Sequence, residues 1–358
     1  METLNFCVLT YSLNMGNGVD VSVLQFAREL SKNHNVKLMS AQCDMDITGL
    51  DYEQHSVRGL KKIGELARHV KKGGYDYVST HSAPMDIVGG LSDLPLLLHD
   101  PGTPPLRYAH RLPDIYNNLL TNGCHQMSSR KAHIVFPTTK YVGREFRRKH
   151  FYQGLMYPLP HGVDYPKPDD IAGLEKDYGN FALYVGANRP YKCVHELIKA
   201  FVWAKKGNEK RSLVLIGNPG PTLYQECLEK FARKVGDVYL LGRVQDVWPY
   251  YNACTLYATM SRWEGLDRPV LEAQYLGKPV VALDVGAHRE TVYPGFGLAR
   301  DGNEFLVKMA AYYSRICYVQ SYDLKQFAEK FSVQNMVRMF IHYLKEMDVD
   351  EKMLRELH

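Results

Sequence analysis

The sequence predicts an α/β protein of two doubly wound domains facing each other across a cleft. Three observations carry this prediction. Short apolar runs of strand length alternate with amphipathic stretches of helix length. A segment dense in proline and glycine (Pro158, Pro160, Gly162, Pro166, Pro168) breaks the alternation near mid-chain. The alternation then restarts, so each half repeats the strand–helix unit that builds a parallel sheet. The expected domains are 1–165 and 166–320, followed by a helical segment over 321–358.

The first half opens on a buried strand, Leu4–Tyr11, with the run NFCVLTY. A loop, LNMGNG, leads to an amphipathic helix over Val21–Lys32, with Val23, Leu24, Ala27 and Leu30 on one face. Asn35–Ser40 is the next strand. Leu60–Lys72 has helical spacing, and Tyr75–Thr80 and Leu94–His99 read as strands. Ile134–Phe136 and Met156–Leu159 close the half. In the second half, Phe181–Val185 is a strand, Gly186–Lys192 a loop and Val194–Ala204 a helix. Strand Ser212–Gly217, helix Thr222–Val235 and strand Val238–Leu241 follow. Next come a short helix over Val247–Asn252 and a strand over Thr255–Thr259. A helix over Pro269–Leu276 stops at Gly277, the residue type that ends helices in a left-handed turn. Pro279–Leu283 is a strand, and Leu324–Lys345 is strongly helical.

Composition narrows the class. Of 358 residues, 45% are hydrophobic and 23% charged, with 28 Gly and 18 Pro, which excludes collagen, coiled coil and wholesale disorder. A net charge of +5 is too small for a nucleic-acid scaffold, so no nucleic-acid partner is expected. The seven cysteines are odd in number and none has C-x-x-C spacing, which argues against a disulfide framework or a structural zinc site. The opening METLNFCVLTYSL lacks a basic signal-peptide region. The longest nearly uncharged apolar run, Leu91–Leu98, holds Asp93 and Pro95 and is too short to span a bilayer. A cytoplasmic protein is therefore expected.

The chemistry concentrates in Ser261–Glu290: a strand end, a loop carrying Glu264, and a helix opening near Pro269 with Glu272 one turn inside. A loop feeding a helix N-terminus suits an anionic ligand, and two carboxylates accept paired hydroxyl donors, as on a sugar and a ribose. The spacing E-x7-E followed by A-x-x-x-G-x-P-V-V-A resembles the hallmark of retaining GT-B glycosyltransferases of family 4 (glycosyltransferase group 1). The likeness extends along the chain. Val185-Gly186 through Lys192 to Phe201, the strand Leu213–Gly217, the turn Leu241-Gly242-x-Val244, the linker Pro160-His-Gly-Val-Asp164 and the loop at Asn17-Gly18 each resemble family segments, in order.

The resemblance implies a GT-B fold: two Rossmann-like domains with a C-terminal crossover helix, the first binding acceptor and the second a UDP- or GDP-sugar. It implies that Glu264 holds donor-sugar hydroxyls and Glu272 the ribose. Lys192 and Arg189 would meet the diphosphate and stabilise the leaving group without metal or cofactor. His99 would stand near the donor sugar. Gly16, Gly18 and Gly186 would admit the backbone to the ligand, Val244 would line the base pocket, and Gly265, Leu266, Asp267 and Arg268 would border the sugar. Glu290 matches the acid of the G-G-x-x-E turn. Two departures stand out: Ala187 replaces an arginine, for which Arg189 would substitute, and Asp267 replaces a glycine, adding a negative charge that Arg268 would offset unless it takes over a phosphate contact instead.

Other features have plainer readings beside sharper ones. His81 at a strand end reads as structural. Asp100 is an acid–base partner or, preferred, a cap for Pro101-Gly102. Asp44-Met-Asp46 has D-x-D form without the context of a metal site. Stretches 60–72 and 140–152 are basic. A solvated face is the plainer reading, and peripheral contact with anionic membrane the alternative. The reading is a retaining glycosyltransferase moving a sugar to a lipid-linked, glycan or small-molecule acceptor. The alternatives are an epimerase or phosphorylase on the same fold, or a non-catalytic nucleotide-sugar-binding subunit.

Overall fold

The computed structural model describes residues 3–356 except 110, 206–209, 315, 317 and 318, with side chains up to residue 347. The chain divides into two compact units. The first comprises Met1–Asp164 and Phe331–His358, the second Tyr165–Lys330. The second unit thus runs ten residues past the expected limit of 320, because Ser321–Glu329 packs on it.

The first unit is built on seven parallel strands: β1 (Asn5–Leu13), β2 (Asn35–Cys43), β3 (Asp51–Gln54), β4 (Tyr77–Thr80), β5 (Leu96–Asp100), β6 (Ala132–Pro137) and β7 (Leu155–Met156). Their order is β3-β2-β1-β4-β5-β6-β7. Strand alternation gives the sheet two apolar faces. Phe6 and Val8 of β1 enter one core, Cys7 and Leu9 the other. The helices are α1 (Gly18–Leu30), α2 (Leu60–Lys71), α3 (Met85–Leu91), α4 (Leu112–Ser128) and α5 (Lys140–His150). Asn17 caps α1 by accepting from the Val19 N–H, and Thr139 caps α5 by accepting from the Val142 N–H.

The second unit has six parallel strands: β8 (Asn180–Val185), β9 (Arg211–Ile216), β10 (Val238–Gly242), β11 (Leu256–Thr259), β12 (Val280–Leu283) and β13 (Leu298–Ala299). Their order, β10-β9-β8-β11-β12-β13, repeats the pattern of the first sheet. The helices are α6 (Val194–Ala204), α7 (Thr222–Val235), α8 (Trp248–Ala253), α9 (Arg268–Tyr275), α10 (His288–Thr291), α11 (Gly302–Tyr313) and α12 (Ser321–Glu329).

The chain then returns to the first unit through α13 (Val333–Glu356). Val163 exchanges backbone hydrogen bonds with Phe331 and Val333, at 2.9 and 3.1 Å. Gly162 permits that approach, since a Cβ there would stand 2.4 Å from the Val333 Cα. Met336, Phe340, Leu344 and Met347 form the buried stripe of α13 in the first core. The single helix expected over 324–345 is therefore two, α12 and α13, belonging to different units.

Each sheet has a topological switch point, between β1 and β4 in the first unit and between β8 and β11 in the second. In open parallel sheets ligands bind beside the strand C-termini at such points. Six described cysteines are free thiols, and Cys317 lies outside the described residues.

Candidate functional site

The site assembles at the switch point of the second sheet. β8 runs into the loop 186–193, which closes in a 3-10 turn, Pro190–Lys192, and enters α6 through Cys193 in a left-handed conformation. Gly217 makes the loop's path possible: a Cβ there would lie 1.9 Å from the Gly186 carbonyl oxygen. β11 feeds the neighbouring loop, Met260–Asp267. The Arg262 N–H donates to the Tyr191 carbonyl at 2.9 Å, tying the two loops together. Beside that bond the Lys192 ammonium donates to the Glu264 carboxylate.

Glu264 is buried and Lys192 half-buried, which sets their proton affinities. Burial alone would lower the Lys192 ammonium, but Glu264, Tyr191 and Asp267 outweigh it and hold the group above its ordinary value. Lys192 is therefore a fixed cation. Burial, then the Asp267 charge, pushes the Glu264 carboxyl above its usual range, against the pull of Lys192 and His288.

Glu264 is also braced from behind. Gly286 in the loop after β12 adopts positive φ, and a Cβ there would meet the Glu264 backbone at 2.7 Å. The next residue, Ala287, donates its N–H to the Glu264 carbonyl at 3.1 Å. Asp267 takes the left-handed conformation at the entrance of α9, φ 56° and ψ 69°, and its side chain makes no cap bond to that helix. Its carboxylate instead accepts from His288 Nε2 at 2.9 Å. The carboxylate expected to be offset by Arg268 thus pairs with the His288 ring instead. Arg268 lies instead 3.9 Å from Glu272, one turn along α9. Glu272 accepts the Tyr251 hydroxyl at 2.7 Å. Burial raises its carboxyl, while Arg268 and Tyr251 oppose that rise.

The remaining expected residues are placed as follows. Gly186, Ala187 and Arg189 are half-buried on the Lys192 loop. Gly265 and Leu266 are buried between Glu264 and Asp267. Val244 follows β10 and packs on the core formed with Val185 and Tyr251. Glu290 is half-buried on α10. Gly16 and Gly18 belong to the first unit, Gly16 in positive φ and Gly18 opening α1. His288 and Tyr251 were not among the expected residues. Neither has a spacing that marks it, and each is found only through its partner's carboxylate.

His99 is corrected by the structure. It was expected beside a ligand, but it is 1% exposed within the first unit. Its ring stacks on His81 at 4.0 Å between centroids and contacts Phe26, Phe136 and Phe340. Ser79 Oγ lies 3.0 Å from the Nε2 of both rings. Burial holds both histidines well below their ordinary value, hence neutral. The side chain points to the face that α1 and α13 cover, which the terminal position in a strand run did not reveal. His81 takes the structural role expected of it, and Asp100 caps its loop by accepting from the Gly102 N–H at 2.9 Å. Asp44 and Asp46 accept from backbone N–H groups of Met15 and Thr48.

Two groups of described residues bring three candidate metal-ligating atoms within 4.8 Å of one another: Glu53, His55 and His69, and Glu264, Asp267 and His288. In the second group each carboxylate already pairs with a basic side chain of the chain, Lys192 or His288. This donor set reads as an internal charge network rather than a metal centre.

Residues 167–310 match the family model described as glycosyl transferases group 1. The chain is 28% identical over 186 residues to a GDP-mannose-dependent monoacylated alpha-(1-6)-phosphatidylinositol monomannoside mannosyltransferase of Corynebacterium glutamicum, covering 46% of this chain and 48% of that one. It is 33% identical over 129 residues to O-antigen chain mannosyltransferase B of Escherichia coli, covering 35% and 33%. The chain thus spans less than half the length of these relatives. Among solved structures it resembles Anabaena Alr3699/HepE in complex with UDP and glucose, with TM-score 0.77, 18% identity, and coverage of 96% and 100%. It also resembles WaaG, a glycosyltransferase involved in lipopolysaccharide biosynthesis, with TM-score 0.64, 16% identity, and coverage of 93% and 95%. The chain has the GT-B fold of two Rossmann-like domains, and residues 167–310 of its second unit resemble the glycosyl transferases group 1 family.

Proposed function

We propose that the chain is a retaining glycosyltransferase that moves a sugar from a nucleotide diphosphate sugar to an acceptor. The observation that carries this reading is the contact between Lys192 and Glu264 at the switch point of the second sheet. The carboxylate occupies the ammonium. A diphosphate would compete for that ammonium and free Glu264 for sugar hydroxyls. Arg189 on the same loop would add the second positive charge toward the leaving group. Glu272, fixed by Tyr251, would accept from the ribose. Each carboxylate near the sugar is held by a partner, so none is free to act as a nucleophile. A front-face transfer, in which the leaving phosphate helps deprotonate the acceptor, fits that arrangement. These two cations would serve where a metal otherwise would.

The curated relatives carry mannosyltransferase names and HepE holds UDP and glucose, so GDP-mannose and UDP-glucose are the first donors to test. A lipid-linked or glycan acceptor follows from the same names. A cytoplasmic protein in peripheral contact with anionic membrane fits such an acceptor. No helix among the described residues is long and apolar enough to cross a membrane. The first unit does present a wet apolar face: α4 exposes Leu112, Tyr116, Leu119 and Met127, and α5 exposes Lys140, Arg144, Arg147 and Arg148.

The test is nucleotide release from a donor panel, with and without a glycolipid fraction. Release of GDP or UDP with a glycosylated product of retained configuration supports the reading. A donor changed in the absence of acceptor indicates an epimerase. Binding without release across acceptors indicates a non-catalytic subunit. The last two outcomes overturn it.

A further inference from the structure

Both ring nitrogens of His288 face acceptors. Nδ1 lies 2.7 Å from the Leu283 carbonyl oxygen, and Nε2 lies 2.9 Å from Asp267 Oδ2. A carbonyl only accepts, so Nδ1 carries a hydrogen. A neutral ring would then turn a bare Nε2 toward a carboxylate oxygen. The contacts are satisfied when the ring carries both hydrogens and a positive charge. The surroundings favour that form. Burial opposes it, but Asp267, Glu264 and the Leu283 carbonyl together raise the His288 imidazole above its ordinary value.

The backbone explains why Asp267 needs such a partner. It sits at φ 56°, a conformation that glycine adopts freely and aspartate at modest cost. There the side chain leaves its own helix end and turns to His288, and both side chains are buried. The result is a line of four charged groups along one wall of the site, the adjacent carboxylates of Glu264 and Asp267 flanked by Lys192 on one side and His288 on the other. Without His288 that wall carries two carboxylates against one ammonium, facing the place assigned to a diphosphate.

We infer that His288 is a positioning residue for donor binding: as a buried imidazolium it neutralises Asp267 and holds the 264–268 turn in the shape that receives the nucleotide sugar. The inference rests on the donor-site reading above. His288 acts through Asp267 and touches no ligand itself. Deprotonation of the ring therefore weakens donor binding and leaves the chemical step largely intact. The groups that face it are Asp267 and Glu264, with Lys192 beyond them and the Tyr184 and Tyr257 phenols beside Asp267. On its own helix, Arg289 pairs outward with Asp284.

The test compares the wild type with H288L, D267G and D267G/H288L. H288L strands the Asp267 carboxylate, and KM for the donor rises about tenfold or more with kcat changed far less. D267G/H288L removes both charges, places glycine where the backbone favours it, and recovers most of that loss. The wild type shows a rise in donor KM on the alkaline side that the double variant lacks. A double variant no better than H288L, or an alkaline limb shared by both proteins, overturns the inference. Where H288L does not fold, the pH comparison of wild type and double variant decides alone. Imidazole 15N chemical shifts separate the two layers of the claim. A neutral His288 ring at pH 7 sinks the inference whatever the donor. A charged ring in a protein that binds no nucleotide sugar sinks the donor reading instead.

Discussion

Lys192 and Glu264 are 72 residues apart in sequence and meet as a largely buried ion pair. The meeting is a product of strand order. β8 and β11 are adjacent in the sheet although β9 and β10 separate them in the chain, so their C-terminal loops emerge side by side. An unpaired ammonium or carboxylate would be costly at this depth, and each group satisfies the other.

Tyr251 and Glu272 make the second anchored carboxylate. Tyr251→Phe removes the 2.7 Å donor from the half-buried Glu272 carboxylate. The expected result is nucleotide binding weakened about 5–10-fold, about 1 kcal/mol, with the fold intact. Titration calorimetry checks it. Unchanged affinity in Tyr251→Phe removes Glu272 from the ribose role.

The histidines divide the pH response. His81 and His99 are held neutral in the folded protein, whereas the unfolded chain takes up protons near pH 6.5. Stability is therefore lost as pH falls below that value, by up to about 1.4 kcal/mol per pH unit for each group. His288 and His125 have raised values, so their contribution is complete below the unfolded value and is lost as pH rises through the folded one. Thermal melts from pH 7 to pH 5 should show a falling midpoint, and His81→Gln/His99→Asn should flatten it. An equal slope in the variant contradicts the assignment.

Phe340 tests the return of α13. Its ring lies 5.1–5.9 Å, between centroids, from Phe26, Phe136, Phe6 and His99. Phe340→Ala should cost about 3–5 kcal/mol of first-unit stability through the cavity it leaves. Chemical denaturation should then separate into two transitions, the earlier from the first unit. A single unshifted transition would show that α13 does not hold that core.

The exposed face of α4 predicts salt-sensitive vesicle binding. Phosphatidylglycerol vesicles should sediment with the protein, and pure phosphatidylcholine vesicles should not. Leu112→Asp/Leu119→Asp should abolish binding, and Arg144→Glu/Arg148→Glu should weaken it by about 1 kcal/mol per charge removed. Sedimentation unaffected by either pair removes the membrane contact.

Much of this architecture was legible in sequence, for identifiable reasons. The buried strands of both halves stand out because parallel sheets bury both faces and so read as apolar runs. β3 escaped because it is a four-residue polar edge strand, DYEQ. α4 escaped because proline opens it, Asn and Gly dilute it, and its apolar residues face water instead of a core. In the site, Lys192, Glu264 and Glu272 were marked by spacing along single segments. His288, Tyr251 and the inward turn of His99 were not, because each depends on which strands lie side by side. The left-handed Asp267 shows the limit well. Its substitution was visible, but its partner stands 21 residues away on the next strand's loop.

The most direct test of the donor site is titration of wild type and Lys192→Ala with GDP and UDP, followed by turnover with the donor that binds. The account predicts that wild type binds one of the two, that Lys192→Ala binds it at least tenfold more weakly, and that turnover falls about 100-fold or more. A folded Lys192→Ala protein with wild-type affinity and turnover would contradict it.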